Sequence, residues 1–173
     1  MRIFGRSPEH HENSMKLPRT IRMDPSDARV FHDAAEPGEW AVTGTFAFVD
    51  ATPAGMDNKA QLAFRSGWLG LDSFGHATFV QVSIAPDDEA EAAARSLAAH
   101  LFKNYGAPDM LVAMTAAKSE IVYAASLCDH PAGTLLAIER EMTDEGITER
   151  IRVIPRPDDE GGHAQIWSFA EDC

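Results

Sequence analysis

Residues 86–133 read PDDEAEAAARSLAAHLFKNYGAPDMLVAMTAAKSEIVYAASLCDHPAG, two helices in succession inside a strand-rich chain. Pro86 has the fixed φ that suits a first helical position. Asp87, Asp88, Glu89 and Glu91 set negative charge against the positive end of the helix dipole. Ala90, Ala94, Leu97, Leu101 and Tyr105 then recur at helical spacing. Gly106 stops the helix and Pro108 opens the next. From Met110 to Cys128 nearly every face is apolar, with charge only at Lys118 and Glu120. A helix apolar all round is expected to be buried on most sides, so the second helix is read as the central element of the core. Its central charges argue against a membrane span. The helices are placed at about 86–105 and 109–128, with Leu97, Leu101, Ile121 and Leu127 as core residues.

Strand signals lie on both sides of this pair. Glu36-Pro37-Gly38-Glu39 is a turn, and Trp40, Val42, Gly44, Phe46 and Phe48 then alternate with Ala41, Thr43, Thr45, Ala47 and Val49, which predicts a strand over 40–49. His76–Ile84 predicts a second strand, with Thr78, Val80, Val82 and Ile84 on one face. Residues 59–71 fit neither period. After the helices, Thr134–Met142 and Ile147–Ile154 flank Gly146, which offers the positive φ of a tight hairpin. Ala164–Ala170 is expected to return as an edge strand. Strands, then two helices, then strands predict an α+β fold: an antiparallel β-sheet with the two consecutive helices packed on one face. The other face is then a candidate dimer surface carrying Phe46, Phe48 or Trp40.

The 173 residues suffice for one domain, and 45% apolar with 24% charged residues are ordinary globular values. Residues 1–14 are expected to form a flexible N-terminal extension, and 15–173 a single domain. The net charge of −12 disfavours nucleic acid and anionic membrane as partners. It is uneven: residues 1–22 carry five Lys/Arg against two acids, leaving ten against 25 in the rest. A basic arm of this kind contacts a nucleic acid or an acidic partner surface, or is a solvated terminus. Cys128 and Cys173 are the only cysteines, and residues 1–14 lack the apolar core of a signal peptide. Free thiols in a reducing cytoplasm are the simplest expectation.

No Walker A loop, HExxH, GxSxG, CxxC or EF-hand pattern occurs. The most suggestive local cluster is Cys128-Asp129-His130-Pro131 at the end of the apolar helix. It reads in two ways: a thiol, carboxylate and imidazole around a pocket, or a helix end with a buried thiol. Cys128 and His130 supply two metal ligands where a structural zinc needs four, so no metal and no cofactor are expected. Glu120 is expected to pair with Lys118, Arg65 or a partner chain, or to reach solvent.

Cys128-Asp129-His130-Pro131 with Gly133-Thr134-Leu135, and Glu36-Pro37-Gly38-Glu39-Trp40-Ala41-Val42, resemble a family of small uncharacterised bacterial proteins. The similarity runs from Met15 to about Pro157. The family has no assigned activity, so the resemblance implies no catalytic role for any residue. The absence of every local catalytic signature and the acidic, motif-poor surface favour a non-catalytic cytoplasmic accessory or binding protein acting as a homodimer. The alternative is a small enzyme or ligand-binding protein with its pocket at Cys128, Asp129 and His130.

Overall fold

The computed structural model describes residues 14–23 and 26–155. In chain order its elements are β1 (Ser14–Ile21), the one-turn helix α1 (Asp27–Val30), β2 (Ala41–Val42), α2 (Asn58–Ser66), β3 (Trp68–Gly70), β4 (His76–Ala77), β5 (Phe79–Pro86), α3 (Asp87–Asn104), α4 (Met110–Ser126), β6 (Leu135–Thr143) and β7 (Gly146–Ile154). The main sheet is antiparallel in the order β1-β5-β6-β7, and β2-β3-β4 form a small second sheet. This is an α+β fold.

Pro86 ends β5 and stands at the N-cap position of α3 without a side-chain capping bond. Its backbone is extended (φ −61°, ψ 155°), and Asp87, Asp88 and Glu89 fill the first turn. The buried stripe of α3 is Ala90, Ala93, Ala94, Leu97, Ala98 and Leu101. In α4 the Asp109 carboxylate accepts from the Val112 N–H at 2.8 Å, satisfying one orphan donor. The two helices pack on each other and on β1.

The orientation of α4 overturns the reading of a helix buried on most sides. Only Ala113, Ala117, Ile121 and Ala124 are buried, while Leu111 is 76% exposed and Val122 63%. Alanines face alanines of α3, which lets the helices approach closely and leaves the larger aliphatics pointing out. Leu97, Leu101 and Ile121 are buried as expected. Leu127 is only half-buried, because the helix ends at Ser126 and the chain turns away.

The strand predicted over 40–49 shrinks to β2. Gly44 adopts φ 77°, and a Cβ there would lie 2.6 Å from Cβ of Leu69, so the backbone turns where only glycine fits. A 3-10 turn over Thr45–Phe48 follows. It sends Phe46 edge-on to Tyr105 (5.2 Å, 86°) and Phe48 edge-on to Phe64 (5.4 Å, 78°). Phe48 is buried, and Phe46 and Trp40 are half-buried against the helix core, so they do not line an open sheet face. The 76–84 strand is split at Thr78, which lets β4 join β3 while β5 joins β1 and β6. Val80 and Val82 are buried, but Ile84 is exposed.

Residues 59–71 resolve into α2, capped by the Asp57 carboxylate on the Ala60 N–H, and then β3. The β6–β7 hairpin has the predicted register, with Thr143 opposite Gly146 at φ 117°. A buried carboxylate pins the remaining loops. Glu39 accepts from the N–H groups of Glu36 (2.7 Å), Asp72 (3.0 Å) and Ser73 (2.8 Å), and from the Ser73 hydroxyl (2.7 Å). Ser14 of the expected extension opens β1, opposite Pro86. The rest of that extension, the strand expected at 164–170 and Cys173 lie outside the described residues.

Candidate functional site

The chain leaves α4 through Leu127, whose N–H donates to Ala124, and Cys128, whose N–H donates to Ala125 at 3.0 Å. Cys128 is buried in a cluster with Ala41, Trp68, Val80, Val82, Leu136 and Ile138. Burial pushes its thiol up to about 12, with Lys16 pulling weakly the other way. Asp129 is exposed and His130 half-buried. The His130 N–H donates to the Cys128 carbonyl at 2.8 Å, and the His130 carbonyl accepts from Lys16 Nζ at 2.8 Å. The cation that serves this end of the chain is thus a lysine from β1. A cavity of about 500 Å³ opens just beyond, between Ala132–Leu135 and Val153–Pro155, with neither Asp129 nor His130 in its lining. A thiol held protonated inside an apolar cluster reacts slowly. In the folded protein at pH 7.5, Cys128 should resist a thiol-reactive dye for hours and label at once in denaturant. Rapid native labelling of Cys128, located by peptide mass, would contradict its burial.

The densest set of interacting polar groups lies elsewhere, around Arg140. Leu136, Ile138 and Arg140 alternate along β6, so Arg140 points into the layer that buries the two aliphatics. Its side chain is 0% exposed. Nε donates to Thr45 Oγ1 at 2.7 Å and stands 3.6 Å from Glu149 Oε1, directly across the ladder on β7. Nη1 donates to the carbonyls of Phe64 (2.7 Å) and Ala63 (3.3 Å), and Nη2 to that of Thr43. Ala63 and Phe64 are in the last turn of α2, where orphan carbonyls and the helix dipole favour a cation. The Phe48 ring covers the guanidinium at 5.3 Å.

Glu149 completes the centre. Its carboxylate accepts from the Thr45 hydroxyl and, at 2.5 Å, from the Tyr123 hydroxyl of α4. Burial lowers Arg140 to about 10, partly offset by Glu149, which leaves it ionised at neutral pH. Burial, then the bond to Glu149, pushes Tyr123 up to about 12. Burial and the Glu149 charge also raise the Glu120 carboxyl. One guanidinium and one carboxylate therefore join the turn after β2, α2, α4 and the β6–β7 hairpin. Sequence reading passed over Arg140, although its place in the Leu136–Ile138–Arg140 alternation was a signal for an inward arginine.

A family of unknown function, DUF6505, matches residues 15–170. The chain belongs to that family. The match takes in both the Arg140 centre and Cys128-Asp129-His130, and the family carries no assigned activity. No curated protein and no solved structure matches the chain.

Within this DUF6505 chain four of the five N–H donors of Arg140 go to protein acceptors, so the guanidinium is mainly committed to the fold. A cavity of about 470 Å³ beside it is walled by Arg65, Glu139, Glu141 and Arg150 as well as the Arg140–Glu149 pair. Arg150 and Arg152 close onto Glu139 at 2.5 and 2.6 Å. Among the described residues no group of His, Cys, Asp and Glu is arranged to hold a metal ion.

The centre also sets a pH dependence in the DUF6505 fold. His76 packs against Phe31 and Phe48; burial, then the Arg140 charge, lowers it to about 4, with Asp33 opposing. An unfolded histidine titrates near 6.5, so the unfolded chain binds the extra proton between the two values. Stability is then full above about pH 6.5 and is lost as pH falls toward 4, by about 3 kcal/mol in all. Urea titrations from pH 7 to 5 should show this fall, and His76→Gln should flatten it. An equal slope in both proteins would contradict the assignment.

Proposed function

We propose that the chain is a non-catalytic accessory or binding protein of the cytoplasm, working as a homodimer. The outward face of α4 carries this reading, because it presents Leu111, Val112, Val122 and the Tyr123 ring to solvent. Several large apolar side chains exposed on one helix face favour an interaction site over a solvated face. The groups best suited to chemistry are meanwhile engaged in the fold. Arg140 and Glu149 hold each other and four elements together, Glu39 is surrounded by donors, and the Cys128 thiol is buried.

A net charge of −12 weighs against nucleic acid and anionic membrane as the partner. Among the described residues no helix is long and apolar enough to cross a membrane. The scarcity of cysteine, with Cys128 free, favours a reducing compartment. A ligand pocket served by Cys128, Asp129 and His130 is the weaker reading, since the thiol points into the core and the nearest cavity is lined by other residues. Sedimentation equilibrium of the full chain at micromolar concentration tests the proposal. Twice the chain mass is expected, and a monomer throughout would overturn it.

A further inference from the structure

On the outward face of α4, leaving aside Met110 and Ser126 at its ends and Lys118 at its edge, the exposed side chains have a symmetric order. Leu111 and Val112 stand at one end, Val122 and Tyr123 at the other, and the small Thr115, Ala116 and Ser119 lie between them, all exposed. The two large pairs are about 16 Å apart along the helix at 1.5 Å per residue. Their midpoint is at the level of Ala117. We infer that α4 packs antiparallel against α4 of a second copy of this chain, about a two-fold axis at that level. The inference rests on the homodimer reading and names its surface.

A two-fold contact brings one patch against itself, so the patch must be complementary to its own reverse. Reversal of α4 about Ala117 brings Leu111 and Val112 against Tyr123 and Val122 of the partner subunit. Thr115 then faces Ser119 of the partner subunit. The small centre allows the close axial approach of packed helices, and the large ends fill the space beside it. A groove of about 250 Å³ between α3 and α4, over Met15 and Ile121, extends the apolar surface next to Val122.

Charge points to the same occupant. Two copies of a chain at −12 repel over most of their surface. The outward face of α4 is uncharged apart from Lys118 at its edge, where Asp87 and Glu91 line the same groove. Glu120 is on the inner side, half-buried near Glu149. Two copies can therefore meet here without setting carboxylate against carboxylate. An unrelated partner would require no mirrored order of large, small and large residues.

The test is sedimentation equilibrium of the full chain with three substitutions: Val122→Glu, Leu111→Glu, and Val153→Glu on β7, where Val153 is 52% exposed. Parent and Val153→Glu should be dimers of equal strength. Val122→Glu and Leu111→Glu should weaken the dimer by roughly tenfold or more, because each sets an unpaired carboxylate into the contact. Their circular dichroism should match the parent, because both side chains are exposed in the single chain, and any difference in melting should vanish once the parent is diluted to the monomer. Dimers of parental strength in both α4 variants, or dissociation only in Val153→Glu, would overturn the inference while leaving the homodimer intact. A monomeric parent would overturn the homodimer itself.

Discussion

Arg140→Ala should destabilise the domain by about 3–5 kcal/mol, the cost of removing one partner from a buried ion pair. At this chain length that lowers the melting temperature by roughly 6–20 °C. The substitution takes the guanidinium from the carbonyls of Thr43 and Phe64, while that of Ala63 keeps the Gly67 N–H, and leaves the Glu149 carboxylate facing a void. Arg140→Lys should recover only part of the loss. A single ammonium cannot meet the Thr43 carbonyl, the end of α2 and the Thr45–Glu149 pair, which lie on different sides of a planar fork. Thermal melts of the three proteins decide the point. A lysine variant as stable as the parent would reduce the role of Arg140 to its charge.

Leu97→Ala should cost about 2–5 kcal/mol, the range for truncating a buried leucine. Leu97 is 0% exposed, in the core that α3 and α4 share with β1. In protein dilute enough to be monomeric, the same substitution at Leu111, 76% exposed, should stay within about 0.5 kcal/mol. Urea denaturation of the pair isolates burial from residue type. Equal losses at the two positions would contradict the inside-out orientation of α4.

That orientation marks where sequence reading failed. Helix boundaries were legible because their signals are local: acids after Pro86, then Gly106 and Pro108 between the helices. Which face of α4 turns inward was not. Hydropathy ranks Leu111 and Val122 above Ala113, Ala117 and Ala124, whereas close helix packing selects the smaller side chains. The hairpin was legible from Gly146 and the alternation around it. The 40–49 strand looked as clear, but its second half is decided by Leu69 crowding Gly44 and by Arg140 drawing in the Thr43 carbonyl. Both partners are distant in sequence. For the same reason the Arg140 centre stayed hidden: Thr45, Ala63, Tyr123 and Glu149 meet only once four elements are in place. Cys128-Asp129-His130 stood out because its residues are adjacent, yet its thiol and its two neighbours face different surroundings.

The central claim is that the exposed face of α4 is where the protein binds its own copy. Carbene footprinting of the full chain, at concentrations above and below its dissociation constant, tests this most directly. Leu111, Val112 and Val122 should label heavily in dilute protein and be protected when it is concentrated, while Ile84 and Val153, exposed on the sheet, label equally in both. Labelling of α4 that does not change with concentration would contradict the claim.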